Sequence, residues 1–188
     1  MQTIAIAGIE GKNTLNNCRI FIPNNGQLLL GQGYNIMLSF LLPTGMIREG
    51  VRSAVLNLFE TDASKESWEC WNPKYEIYPI LGKEPPYSEC FCGYYIDTNR
   101  KSTFLKDGSC QVQIDITEVV NSWIDEGNEE GSLFIMDNRS PRLICYASTN
   151  YPVIEMRPSI RLICDNFYFT KPLSVERALV NIFKVPIS

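Results

Sequence analysis

An all-β sandwich or barrel is the fold class that this sequence predicts, and three observations predict it. Short runs of strand-like composition recur along the chain between turn residues, helical periodicity is confined to one stretch, and no repeat of solenoid length intervenes. At 188 residues the chain can bury a full hydrophobic core without metal or disulfide staples, so one domain plus an appendage is the expected organisation.

The expected strands, in order, are TIAIA (3–7), CRIFI (18–22), QLLL (27–30), NIMLSFLL (35–42), VRSAVLNLFE (51–60), YEIYPI (75–80), CQVQIDI (110–116), SLFIM (132–136), RLICYA (142–147) and SIRLIC (159–164). In VRSAVLNLFE the period of two puts Ala54, Leu56 and Leu58 on one face, the inter-sheet core. In CQVQIDI, Val112, Ile114 and Ile116 alternate with Gln111, Gln113 and Asp115, which describes a half-buried strand with a wet outer face. The one helix is expected at TEVVNSWIDEG, residues 117–127: Thr117 caps it, Glu118 suits the positive dipole end, Val119, Val120, Trp123 and Ile124 form its apolar stripe, and Gly127 stops it. Trp123 is therefore expected in the core. The middle of the chain, with Pro73, Pro79, Pro85 and Pro86 among aromatics, reads as long loops with short edge strands.

Composition removes several functions. Histidine is absent, which excludes Ser-His and Cys-His catalysis and takes away the commonest general base and transition-metal ligand. The carboxylates form no recognisable acid/base pair, so no catalytic residues are assigned and the chain is not read as an enzyme. Cys90 and Cys92 are spaced C-x-C, without the paired knuckles of a structural zinc site, so neither metal nor cofactor is expected. A net charge of -4 leaves no basic footprint for nucleic acid or an anionic membrane surface. No run is long and apolar enough to span a membrane, and no classical signal peptide is visible. Seven cysteines are an odd number, so one thiol at least stays unpaired or pairs between chains. Cys18, Cys90 and Cys92 are the candidates for intermolecular disulfides, and Cys145 and Cys164 lie in apolar strand contexts that suit burial.

Three stretches then carry a family pattern. VRSAVLNLFE supplies Ala54, Leu56 and Leu58. QIDITEVVNSWIDEGNEEGSLFIM supplies Asp115, Thr117, Val120, Trp123, Gly131, Leu133 and Ile135, and ICYASTNYPVIEMRPSIRLI supplies Tyr146, Ser148, Arg157 and Pro158. In order and spacing these resemble the DNRLRE-type domain, also called carbohydrate-binding module family 96, over residues 1–164, with Leu41 where that family commonly has an aspartate. The resemblance implies an all-β, jelly-roll-like antiparallel β-sandwich with one short helix. It also implies one of two roles: a module that binds sugars, alginate among them, or a stand-alone surface protein of spore-forming bacteria. Either role suits a location outside the cell or on the spore or cell surface. For the sugar role, Trp68, Trp71 and Tyr75 would be the stacking platform, with Arg100, Lys101 and Lys106 offsetting uronate charge.

Residues 165–188 lie past the resemblance as an apolar C-terminal extension carrying Val175, Leu179, Val180, Ile182, Phe183, Val185 and Ile187. Such a segment is too apolar for a disordered tail. Read as a strand, its stretch from Leu173 to Ser188 would reach ~50 Å, enough to lie along a neighbour's sheet edge. The expected function is accordingly a structural, self-assembling surface protein, a filament, appendage or coat subunit whose partners are copies of itself. Recognition of an acidic or cell-wall polysaccharide is the alternative.

Overall fold

The computed structural model describes residues 1–15, 21–22, 25–43, 46, 50–61, 74–81, 89–91, 94–105, 110–136 and 142–165. Along them run β1 (Gln2–Leu15), β2 (Phe21–Ile22), β3 (Gln27–Leu30), β4 (Tyr34–Leu41), β5 (Val51–Phe59), β6 (Lys74–Leu81), β7 (Glu89–Phe91), β8 (Tyr94–Ile96), β9 (Ser102–Leu105), β10 (Gln111–Asp115), α1 (Thr117–Asp125), β11 (Glu130–Met136), β12 (Ile144–Ala147) and β13 (Ser159–Cys164). Their pairings are antiparallel, and the chain folds as an all-β sandwich. The extension that follows Asp165 lies outside the described residues.

One curled sheet supplies both layers, in the order β10-β5-β13-β1-β4-β11-β6-β8-β7, with β2 beside β1 and β9 beside β6. The curl is made by β1. Its first half, Gln2 to Ala7, pairs with β13, and its second half, Gly8 to Leu15, pairs with β4. The register shifts between Gly8 and Glu10, and an extra residue in one strand bends it and re-aims the chain. At that corner the Gly8 amide donates to the Pro158 carbonyl at 2.9 Å. A Cβ on Gly8 would sit 2.9 Å from Thr149 Cγ2 and 3.3 Å from the Pro158 carbonyl oxygen, so any larger residue at this corner would have to displace the Thr149 side chain.

The period of two decides what the layers enclose. Ala54, Leu56 and Leu58 of β5 are fully buried, as their alternation predicts, together with Val112 and Ile114 of β10, Ile4 and Ile6 of β1, and Ile160 and Leu162 of β13. Facing them are Ile36, Leu38 and Phe40 of β4, Leu133 and Ile135 of β11, and Tyr75 and Ile77 of β6. The run NIMLSFLL does not alternate because β4 is buried on both faces: Met37 joins Tyr78, Ile80, Ile96 and Phe134 in a second cluster. A small sheet of β3 and β12 adds Leu28, Leu30, Ile144 and Tyr146 to the main core. Buried Asn13 ties this sheet to the sandwich. Its Nδ2 donates to the Leu29 carbonyl (2.7 Å) and the Asn35 carbonyl (2.9 Å), and its Oδ1 accepts from the Leu29 amide (2.9 Å).

Helix α1 buries Val119, Val120 and Trp123 of the expected stripe and leaves Ile124 half-buried against the core. Trp123 lies against Gly131, where a Cβ would fall inside the indole, and its Nε1 donates to the Ser132 carbonyl at 3.1 Å. Gly127, at φ +70°, ends the helix: its amide donates to Ile124 and that of Asn128 to Trp123, so the last carbonyls are satisfied by a left-handed turn. The helix start departs from expectation. Thr117 is the first helical residue, not the cap; its amide and hydroxyl both donate to Asp115 Oδ1, at 2.9 and 2.6 Å.

Candidate functional site

Most of the residues singled out in the sequence lie outside the described set: Cys18, Cys92, Trp68, Trp71, Lys106 and, in the extension, Val175, Leu179, Val180, Ile182, Phe183, Val185 and Ile187. Cys90 sits in β7 opposite Tyr95. Tyr75 is corrected by the structure. Its side chain is fully buried, with its ring 5.2 Å from that of Phe104, so it belongs to the core and presents nothing to a sugar. The cause is parity, since Tyr75 shares the inward face of β6 with Ile77. The cations expected to offset uronate charge are engaged too: Arg100 Nη1 pairs with Asp125 at 2.7 Å, and Lys101 Nζ pairs with Glu76 at 2.6 Å.

Among the cysteines, Cys164 is buried as expected and Cys145 is half-buried. Burial, and secondarily the neighbouring Asp165 carboxylate, push the Cys164 thiol up from its ordinary value, so it stays protonated and inert. Cys110 is exposed, at the head of β10, and was not among the thiols chosen from sequence. The turn residues Asp107, Gly108 and Ser109 just before it were the available signal.

What the topology does present is a sheet edge. β10 ends the order of the curled sheet and is paired through β5 alone among the described residues. The Glu60 amide donates to the Cys110 carbonyl at 2.8 Å and the Ile116 amide to the Ala54 carbonyl at 2.8 Å. Even-numbered residues of β10 thus direct their backbone groups to β5, and by the alternation of an antiparallel ladder Gln113 and Asp115 direct theirs away from the sheet. The same two side chains face solvent while Val112 and Ile114 face the core. At its far end the edge is tied to β5 by a relay in which the Ala54 amide donates to Thr117 Oγ1 (3.0 Å) and Thr117 Oγ1 donates to Asp115 Oδ1. Neither lysine, proline nor a bulge interrupts β10, and its one charged side chain is Asp115 at its end; lysine, proline and bulges are among the devices that blunt an edge against strand addition.

The fold class is an antiparallel β-sandwich, with β10 at one end of its curled sheet. No family model and no curated protein matches the chain.

Proposed function

We propose that this protein is a structural subunit that assembles with copies of itself into a filament, appendage or coat layer, by strand addition at the β10 edge. The observation that carries the reading is the edge itself: backbone donors and acceptors of Gln113 and Asp115 directed outward on a strand without lysine, proline or a bulge, whose one acidic side chain, Asp115, is held by Thr117. Main-chain hydrogen bonds supply affinity in such an addition, at roughly 0.5 to 1.5 kcal/mol net each, and the alternating side chains supply register. The apolar extension from residue 173 to residue 188 supports the reading from sequence, and the resemblance to surface proteins of spore-forming bacteria supports a location outside the cell or spore. Nothing among the described residues favours polysaccharide as the partner, because Tyr75 is buried and Arg100 and Lys101 are ion-paired.

Light scattering on purified protein over a concentration series tests the reading. The expected result is a mass that climbs with concentration without levelling at a small multiple, since a heterologous contact that does not close propagates. A single closed dimer or a monomer throughout would reject it. Electrophoresis with and without reductant then separates covalent from non-covalent contacts, with Cys110 a candidate beside Cys18, Cys90 and Cys92.

A further inference from the structure

The layer that ends in β10 has a second open edge. Its strands run β10-β5-β13-β1, each antiparallel to the next, and it contains only the first half of β1. Across the layer, Ile6, Ile160, Leu56 and Ile114 form one transverse row, all on the core face. Because the Gly8 amide donates to β13 at Pro158, even-numbered residues of this half of β1 face β13, and Thr3, Ala5 and Ala7 direct their amides and carbonyls to the other side. Among the described residues no strand pairs there.

We infer that the strand received by β10 is the first half of β1 from the next copy, with Ala5 to Ala7 lying along Gln113 to Asp115, a deepening that rests on the assembly reading above. Strand parity is the first reason. Four antiparallel strands make the two outer strands run in opposite directions, so a copy displaced sideways without rotation sets its β1 antiparallel against β10 and keeps the core face on the same side. An odd number of strands would give a parallel contact under the same displacement.

Phase is the second reason. Continuing the transverse row places Ile114 against Ile6, Gln113 against Ala7 and Asp115 against Ala5. The outward-directed backbone groups of one edge then meet those of the other, while apolar side chains meet apolar ones. Charge is compatible with the pairing but does not single it out: exposed Arg161 shares its row with Asp115 of its own copy across Val55, and would share it with Asp115 of the incoming copy across Ala5. Residues 2 to 7 contain neither proline nor a charged side chain, so this edge is also unprotected. Each copy offers one edge of each kind, so growth is open-ended.

Two edge variants test the pairing. Ala5→Pro removes one amide from the open side of β1 and none from the ladder with β13, and Gln113→Pro does the same for β10. Each variant, folded by circular dichroism, is expected to remain monomeric alone, and an equimolar mixture is expected to form a dimer that grows no further. Ala5→Pro that polymerises like the parent overturns the assignment, and does so most clearly if removal of residues 173–188 then abolishes growth. Hydrogen exchange on the unaltered protein gives the same answer without a variant: slowed exchange at Ala5, Ala7, Gln113 and Asp115 on assembly supports it, and unchanged exchange at Ala5 and Ala7 overturns it. Wild-type protein that never assembles overturns the assembly reading itself, together with this pairing.

Discussion

Replacing Gly131 by alanine places a methyl group inside the indole of Trp123, and its cost can be worked out from the contact. The obstacle is a ring, not the far end of a flexible chain, and Trp123 is fully buried with its ring 6.5 Å from that of Phe40. The indole has to retreat into a filled core, and overpacking of that kind costs roughly 1 to 3 kcal/mol. Its retreat also breaks the Nε1 bond to the Ser132 carbonyl, worth about 1 kcal/mol. The sum is near 3 kcal/mol, which for a domain of this size lowers Tm by roughly 6 to 12 °C. Urea denaturation gives the free energy, and a double-mutant cycle with Trp123→Ala isolates the clash, because with the indole gone the methyl group has room. Gly131→Ala within about 0.5 kcal/mol of wild type, the range of ordinary surface changes, would refute the packing argument. So would full cost retained in the Trp123→Ala background.

Other outcomes follow from the same contacts. Asn13→Ala leaves the Leu29 amide and the Leu29 and Asn35 carbonyls without their partner; a loss of roughly 2 to 4 kcal/mol is expected, with faster hydrogen exchange at Leu29. Asp115→Ala removes the acceptor of both Thr117 donors and should cost about 1 kcal/mol, seen as fraying of α1 with the sandwich intact. In the unassembled native protein a maleimide should label Cys110 readily and leave Cys164 untouched until denaturation. Because the folded Cys164 thiol holds its proton more tightly than the unfolded one, its stabilisation is whole below the ordinary thiol pKa. It is lost as pH rises through the raised value. Cys164→Ala should therefore flatten the alkaline fall in stability measured by chemical denaturation, and an unchanged slope would contradict this cause.

Local pattern carried much of this fold. QLLL and SIRLIC are strands at the residues the composition predicts, and period two alone put Ala54, Leu56 and Leu58 in the core. The second half of β1 was not legible, because GIEGKNTL carries two glycines and a run of polar residues. The structure accounts for both kinds: a Cβ on Gly11 would meet Leu28, Leu38 and Ser148 at 3.2 to 3.3 Å, and Asn13 is buried only because three backbone groups of other strands converge on it. Such partners are distant in sequence. Thr117 has the sequence position of a cap, but its hydroxyl is taken up by the Ala54 amide, from which it accepts, and by Asp115 Oδ1, to which it donates, and both partners lie before the helix. Tyr75 could have been placed correctly from its alternation with Ile77, but its aromatic neighbours suggested a platform. The β10 edge shows the general limit: QVQID reads as a half-buried strand, whereas its place at the end of the sheet depends on which distant strands pair, and no local pattern encodes that.

Electron microscopy of the purified, untreated protein tests the central claim most directly. Extended filaments or sheets built from one repeating subunit, absent in Gln113→Pro, are the predicted result. Uniform single particles of one chain at concentrations where light scattering is also flat would contradict it.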